Sequence, residues 1–290
     1  MDTEKRGCLY LCPTPIGNLG DITVRSIEIL RDVDIIAAED TRNTLKLLNH
    51  FDIHTSLTSY HEHNKYKKAQ ELIQLMLSGK SIACVTDAGT PAISDPGEIL
   101  VKQAIDSGID VISLPGATAF VTALTVSGFS AERFVFEGFL PKAKKDRSRL
   151  LAEISNEGRT IILYEAPHHL KNTLLELKNV LGGEREIAIC RELTKIHEEV
   201  LRLSLAEAVS YYRNNDPKGE FVLIIAGKPK EEQEKIRQKE YEDMTIAEHV
   251  EMYEALGEDR KEAMKKTAAD RGISKREVYK ALLSGAGYTR

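Results

Sequence analysis

Residues 81–105 read SIACVTDAGTPAISDPGEILVKQAI and predict a strand, a polar loop and a helix in direct succession. The run SIACV is short and apolar, which is typical of a buried strand, and ILVKQAI has a helical pattern. Asp95 is the expected N-cap of that helix, with Pro96 at its first position and Glu98 three residues after the cap. The loop therefore follows the carboxyl end of a strand, which is where open α/β sheets bind their ligands.

The composition of this loop limits what it can bind. It contains Asp87 and Asp95 but no Lys or Arg, whereas a phosphate-binding loop of the GxxxxGK[ST] type ends in a cation. A phosphate would meet two carboxylates here. We therefore expect a polar, hydroxylated ligand that is neutral or positively charged.

Strand and helix patterns alternate through the first part of the chain, and the segment RFVFEGF at 133–139 closes the series. Such alternation with short turns predicts a largely parallel, doubly wound sheet. The loops at 13–21, 87–96 and 115–118 each follow a strand, so we expect them to line one cleft. We assign residues 1–138 to this first α/β domain.

The next residues predict a second α/β domain, at 139–228. Two of its strand patterns, 186–193 and 198–205, are separated only by His197 and its neighbours, which indicates a hairpin. A hairpin makes its strands antiparallel, so the second sheet is expected to be mixed.

The remaining residues, 229–290, are interpreted as a charged linker followed by a helical tail. The stretch KPKEEQEKIRQKEYED is charge-dense and is expected to be solvated. Near the end, DRGISKREVYKALL is compatible with a helix–turn–helix that has Gly272 in the turn and Ser274 as cap.

The bulk composition excludes several classes of protein. A formal net charge of −5 gives no general attraction to nucleic acid, so an RNA partner would require a local basic patch. The start MDTEKRG lacks the apolar core of a signal peptide, and no apolar run approaches the ~20 residues that span a bilayer. We expect a cytoplasmic protein without a membrane partner. The four cysteines show no metal-binding spacing, so we expect free thiols and no metal.

Eight short motifs occur in order along the chain, and together they resemble one family. They are PTPIGNLGDIT (13–23), AEDTR (38–42), DAGTPAISDPG (87–97), PGATA (115–119), FEGFLP (136–141), LYEAPHH (163–169), RELTKIHEE (191–199) and KGEFVLIIAG (218–227). This set resembles the ribosomal RNA small-subunit methyltransferase I family, which belongs to the tetrapyrrole-methylase-like class of S-adenosylmethionine (SAM) enzymes. The resemblance covers residues 8–228.

The resemblance implies two α/β domains with SAM in the cleft between them. It also implies 2′-O-methylation of a cytidine ribose in the decoding region of 16S rRNA, within the small ribosomal subunit, by a homodimer that does not act on DNA. The opening loop suits this cofactor because SAM is cationic and carries a ribose diol but no phosphate. Asp87 is expected to contact it, although Asp87 and Asp95 could both simply cap turns; for Asp95 we favour the cap.

The predicted site residues fall into three sets. The expected cofactor contacts are Pro13, Asp87, Ala88, Gly89, Thr90, Ile93, Ser94, Pro115, Gly116, Ala117, Thr118, Tyr164, Leu193 and Val222. The catalytic candidates are Lys195, Glu39, Asp40 and Glu165, with His197 as a further possibility. The expected RNA contacts are Arg42, Lys142, Lys144, Lys145, Arg147, Arg149 and Arg191.

Several of these roles have alternatives. Lys195 could stabilise an alkoxide as a cation, or act as a base if burial lowers its pKa. Asp40 could be only a helix N-cap, and Arg42 and Arg191 could be ordinary salt-bridge partners. The basic segment at 142–149 could be a solvated helix turn that also meets RNA phosphates.

Rival functions remain on the same scaffold. A tetrapyrrole or precorrin C-methyltransferase, or a diphthine synthase, would carry a GGDP-type loop where this chain reads TDAGTP. A non-catalytic rRNA-binding assembly factor would show disrupted glycine loops, and these are intact. The segment PTPIGNLGD does not match GxGxxG, which disfavours a dinucleotide-binding enzyme.

Overall fold

A computed structural model describes residues 6–285, and these contain two five-stranded sheets. Residues 1–5 and 286–290, which belong to the first and third predicted segments, lie outside the described residues. Among the described residues, no helix is long and apolar enough to cross a membrane.

The first sheet is entirely parallel, which confirms the predicted arrangement. Its strand order is β3-β2-β4-β1-β5, with β1 Cys8–Leu11, β2 Ile35–Ala38, β3 Ser56–Ser59, β4 Ile82–Val85 and β5 Asp110–Ser113. The helices of this part are α1 Val24–Asp32, α2 Thr41–His50, α3 Lys65–Leu77, α4 Gly97–Asp106 and α5 Ala119–Ser127. The central strand β4 is buried at every position, because helices cover both faces of the sheet.

The second sheet is mixed, also as predicted. Its order is β6-β7-β10-β8-β9, with β6 Phe134–Phe139, β7 Thr160–Glu165, β8 Glu186–Arg191, β9 Glu199–Ser204 and β10 Phe221–Ile225. Strands β6 and β7 are parallel and the other pairs antiparallel, and β8 and β9 form the expected hairpin. The helices here are α6 Lys144–Ser155, α7 Pro167–Leu181 and α8 Leu205–Asn214.

Strand β6 corrects the expected end of the first domain. The sequence placed it as the last strand of that domain, but β6 pairs with β7, with Phe134 opposite Thr160. The sequence correctly predicts a strand here, but which sheet the strand joins depends on its partner β7, which lies further along the chain. We propose that the boundary lies at 128–133, between α5 and β6, and not at 138.

Helix α5 connects the two sheets. Its residues Ala123 and Leu124 are buried against one face of the second sheet, where they meet Ile162, Val222 and Ile224. The neighbouring positions in these strands point to the opposite face, which α7 and α8 cover, because successive side chains of a strand alternate between faces. The cleft between the sheets is therefore bounded by α5 on one side.

The tail is helical from its start, which corrects the prediction of a charged linker. It contains α9 Lys230–Glu240, α10 Ile246–Ala255, α11 Arg260–Arg271 and α12 Lys275–Gly285. Helices α10 to α12 share a small core that includes Val250, Met264 and Val278. The predicted turn is present: Gly272 has a φ of 64° after α11, and the Ser274 hydroxyl accepts a hydrogen bond from the Glu277 backbone N–H.

Candidate active site

A cavity of about 500 Å³ lies between the two sheets. The first sheet contributes the loop after β4 and the start of α5, and the second contributes the ends of β7 and β8 and the beginning of β10. Most predicted cofactor contacts line it, namely Asp87, Ala88, Gly89, Thr90, Ile93, Ser94, Thr118, Tyr164, Leu193 and Val222.

The loop after β4 is held in shape by Asp95. Its carboxylate accepts hydrogen bonds from the backbone N–H groups of Ala92, Ile93 and Gly97, at 3.0, 3.3 and 2.7 Å. Ala92 and Ser94 have positive φ values of 67° and 62°, which few residues other than glycine adopt. Asp95 therefore fixes the turn before α4, as favoured from the sequence, but the helix begins at Gly97 with Pro96 as its N-cap residue, one position later than predicted.

The three loops expected to share one cleft contact each other. Thr14 and Gly89 exchange two backbone hydrogen bonds, of 2.9 and 3.0 Å. The Thr90 hydroxyl donates to the Ala117 carbonyl at 3.0 Å and lies 2.8 Å from the Thr118 hydroxyl oxygen. Gly89 has a φ of 86°, and a Cβ there would lie 3.3 Å from Cγ2 of Ile16. The backbone of Gly89 therefore packs closely against the loop at 13–21 and is hydrogen-bonded to it.

The remaining predicted cofactor residues support the wall and do not line it. A Cβ added at Gly116 would lie 2.5 Å from Cβ of Pro13, so these two residues pack directly together. Pro115 precedes this contact, and the Ala117 carbonyl accepts from Thr90 as described above. Pro13, Pro115, Gly116 and Ala117 therefore connect the first loop to the loop before α5.

One side of the cavity is acidic. Asp87 lies at the end of β4, where its carboxylate accepts from the Asp40 backbone N–H at 3.2 Å. Glu39 accepts from the Thr86 hydroxyl at 2.7 Å. The pKa of Asp87 is raised, mainly because the carboxylate is partly buried and secondly because of the negative charge of Glu39. Two neighbouring carboxylates on the wall favour a cationic ligand.

Lys195 is the basic side chain on the described wall of this cavity. Its ammonium lies 2.8 Å from a Glu192 carboxylate oxygen and 2.9 Å from one of Glu220, and its side chain is 29% exposed. Partial burial opposes the charge, but the hydrogen bonds to the two carboxylates outweigh it and raise the pKa of Lys195. This geometry favours the alternative in which Lys195 acts as a cation.

Glu165 also lines the cavity, but its carboxylate is committed to the protein. The residue is 6% exposed and accepts hydrogen bonds from the Ala166 backbone N–H and the Thr173 hydroxyl. Thr173 in turn accepts from Arg147. This hydrogen-bonded position favours a structural role.

Asp40 does not line the cavity. Its carboxylate caps α2 by accepting from the Arg42 backbone N–H at 2.8 Å, and it pairs with the Arg42 guanidinium at 2.6 Å. The hydrogen bonds from Arg42 lower the pKa of Asp40 to about 2. The helix-cap alternative fits this geometry, and a carboxylate of such low basicity is unsuited to general-base catalysis.

The predicted RNA contacts divide into two groups. Lys142, Lys144, Lys145 and Arg149 are exposed around the start of α6, and Arg42 is exposed although it pairs with Asp40. Arg147 instead points inward, with its side chain 18% exposed and its guanidinium bound to Glu176 at 2.6 Å. Arg191 pairs across the hairpin with Glu199 at 3.1 Å. For Arg147 and Arg191 the salt-bridge role is the one the geometry supports.

Sequence reasoning missed several residues of the cavity wall. Phe139 and Glu220 belong to motifs quoted above, and their position at strand ends was the available signal. Cys190 was expected only to be a free thiol; it is free and buried, burial raises its pKa to about 11, and it also lines the cavity. Ile16 and Pro167 also belong to quoted motifs, and Ile16 to the loop at 13–21 that was expected to line the cleft, but neither was assigned to the wall.

Comparisons with known proteins agree on one family. The model of the tetrapyrrole (corrin/porphyrin) methylases matches residues 8–209. A relative from Halalkalibacterium halodurans, named ribosomal RNA small subunit methyltransferase I, is 52% identical over 95% of this chain and 94% of its own. A Bacillus subtilis protein of the same name is 49% identical, with coverage of 95% and 94%.

Solved structures share the fold. Uroporphyrin-III C-methyl transferase from Thermus thermophilus, complexed with S-adenyl homocysteine, has a TM-score of 0.55 at 16% identity and matches 76% of this chain and 97% of its own. At this identity the likeness concerns the fold alone. The family model covers the first sheet and most of the second, and the close relatives match nearly the whole chain, so the chain belongs to the tetrapyrrole methylase family and, within it, to the ribosomal RNA small subunit methyltransferase I family.

Proposed function

We propose that this chain transfers a methyl group from SAM to a ribose 2′-hydroxyl of small-subunit ribosomal RNA. The observation that carries the proposal is the name shared by relatives that are about half identical over nearly the whole chain. The chemistry of the cavity supports it independently. Relatives of the same fold that act on tetrapyrroles are far more distant in sequence.

The residues of the cavity fit SAM. Asp87 and Glu39 present negative charge to a cationic ligand, and the hydroxyls of Thr90 and Thr118 suit its polar groups. The side chains of Ile93, Leu193 and Val222 and the ring of Tyr164 add apolar surface to the wall. Such a surface is expected for a ligand that also carries an adenine ring. When bound, SAM supplies a methyl group on a positively charged sulfur.

Lys195 is the residue we assign to the acceptor oxygen. A ribose hydroxyl is a weak acid, and its oxygen carries negative charge once its proton has passed to water or to a neighbouring carboxylate, before the new bond to the methyl carbon forms. A lysine with a raised pKa keeps its proton at neutral pH and can stabilise that charge. Glu192 and Glu220 hold the ammonium in place, so little reorganisation is needed when the acceptor arrives.

The finer features of the substrate follow from the family. We propose that the acceptor is a cytidine in the decoding region of 16S rRNA, presented by the small subunit, and that the protein acts in the cytoplasm. The exposed side chains of Lys142, Lys144, Lys145 and Arg149 offer phosphate contacts, in a segment that follows Phe139 of the cavity wall in the chain. The predicted homodimer stays a prediction.

The experiment is transfer of tritiated methyl from SAM to small subunits that lack their native modifications, followed by nucleoside analysis. We expect label in a 2′-O-methylated cytidine. Asp87→Asn should weaken SAM binding, whereas Asp106→Asn, an exposed aspartate at the far end of α4, should leave it unchanged. Binding of SAM without any transfer to subunits would contradict the substrate, and failure to bind SAM would contradict the enzyme class.

A further inference from the structure

A second cavity, of about 310 Å³, adjoins the first. Thr86 and Asp87 line both cavities, so the two are separated by a shared wall at the end of β4. The rest of the second cavity is formed by the loop after β1 and by one side of α2. None of the roles proposed above uses it.

The walls of this second cavity are fixed by hydrogen bonds. The loop after β1 is attached to the β4 side by the backbone pair between Thr14 and Gly89, and the Thr14 hydroxyl donates to the Thr86 carbonyl at 3.1 Å. The start of α2 is held by the Asp40 N–H on Asp87. A cavity with such preformed sides suits a specific ligand.

The side chains around the second cavity are chemically divided. Pro15, Leu19 and Leu47 are apolar, and Leu19 is 42% exposed, which leaves hydrocarbon for a ligand to cover. Lys46 and His50 lie on exposed positions of α2 and add basic groups. A nucleotide has matching parts, because its base is flat and largely apolar on its faces while its phosphates are anionic.

Asn43 supplies a polar group that is oriented in advance. Its amide nitrogen lies 3.5 Å from a carboxylate oxygen of Asp87. An ionised carboxylate only accepts hydrogen bonds, so the nitrogen of the amide must be the atom that faces it. The amide oxygen of Asn43 is then left to accept from a ligand, such as the exocyclic amine of a base.

We propose that this second cavity binds the base of the acceptor nucleotide, with the ribose at the shared wall formed by Thr86 and Asp87. The inference rests on the function proposed above, since it needs an RNA acceptor and a methyl donor in the first cavity. Enzymes that modify or read single nucleotides of RNA commonly take the base out of its stack and bind its edge. The position of Asn43 favours a base with an amino group over one with a carbonyl at that edge.

Two matched variants test this site. Asn43→Ala removes the amide from the second cavity, and Asn49→Ala changes the same residue type at an exposed position of the same helix. The substrates are small subunits that carry cytidine or uridine at the methylated position. We expect Asn43→Ala to lower kcat/KM for the cytidine subunits about tenfold or more, the size of one base-edge contact, and to reduce the preference for cytidine. Asn49→Ala should match the wild type.

A cavity-filling variant gives a second readout. Leu47→Phe should raise KM for subunits, because the larger side chain occupies space meant for the base. The dissociation constant of SAM, measured by calorimetry, should stay within about twofold in both variants if the two cavities are separate subsites.

The outcomes separate this inference from the proposed function. If the wild type transfers no methyl group to subunits, the proposed function itself fails. If the wild type is active but Asn43→Ala keeps both its rate and its preference for cytidine, the second cavity is not the base site. A parallel loss of SAM affinity and activity in both variants would also overturn the inference. The substitutions would then lower activity by weakening SAM binding in the first cavity, and not by removing contacts to the base.

Discussion

Gly17 of the first domain packs directly on Lys195 of the second. A Cβ added at Gly17 would lie 2.3 Å from Cγ of Lys195, and it would also lie 2.8 Å from the Thr194 hydroxyl and 3.1 Å from the Leu193 carbonyl oxygen. The loop after β1 therefore approaches the loop after β8 as closely as the absence of a side chain allows. This contact sets the position of Lys195 relative to the first sheet.

Substitution Gly17→Val should separate the two loops. Overpacking of this kind costs about 1–3 kcal/mol, and the displaced Lys195 should lower methyl transfer further than the stability loss explains. Urea unfolding and kcat/KM with small subunits measure the two effects. Gly20→Ala is the control in the same loop, since its Cβ would meet only Asn18, at 3.2 Å. If both variants showed the same stability and the same kcat/KM, the contact between Gly17 and Lys195 would not be what positions the lysine.

Removal of the Lys195 charge should slow the chemical step. Lys195→Ala is expected to lower kcat by about 10²–10³, as for other groups that stabilise an anionic oxygen, while the dissociation constant of SAM changes little. Lys195→Arg, which keeps the charge, should retain more activity. An unchanged kcat in Lys195→Ala would remove this residue from the mechanism.

The raised pKa of Lys195 also predicts a pH dependence. Because the folded-state pKa lies above the ordinary value of 10.5, its ion pairs stabilise the protein below that value, and this contribution disappears as the pH rises through the folded pKa. The melting temperature of the wild type should therefore approach that of Glu192→Gln at strongly alkaline pH. At neutral pH the variant should melt lower.

Asp40 predicts a change at the acidic end. Its folded-state pKa is about 2, below the ordinary value of 3.8, so the charged carboxylate stabilises the fold above that range and this contribution is lost as the pH falls from about 4 to about 2. The difference in melting temperature between the wild type and Asp40→Asn should shrink over the same interval. The activity profile near neutral pH should not shift, and a shift there would restore Asp40 as a catalytic candidate.

The basic residues around the start of α6 predict a salt dependence. Lys144→Ala and Lys145→Ala should each weaken binding to small subunits and reduce the slope of log affinity against log salt by about 0.7–0.9, the value for one phosphate contact. Arg147→Ala should leave that slope unchanged but lower stability, since it breaks the contacts to Glu176 and Thr173. A reduced slope in Arg147→Ala would mean that its guanidinium leaves the fold to meet RNA.

Local patterns in the sequence determined much of the fold. The strand, loop and helix of residues 81–105 follow from apolar runs, and the turn at Asp95 follows from a carboxylate beside free backbone N–H groups. The hairpin of β8 and β9 follows from two strand patterns with a short connection. The eight motifs then indicated the family, and most of the residues they suggested lie on one cavity.

The tertiary structure decided what depends on partners far away in the chain. The residues near Lys195 in sequence do not predict its contact with Glu220, which lies 25 positions away and helps to raise the pKa of the lysine. Strand β6 belongs to the second sheet because it pairs with β7, which comes later in the chain. The side chain of Arg147 points inward because it donates hydrogen bonds to Thr173 and Glu176. The second cavity exists only where three separated segments meet. A sequence records the propensity of each segment, whereas charge, burial and cavity shape are properties of the segments after they have packed together.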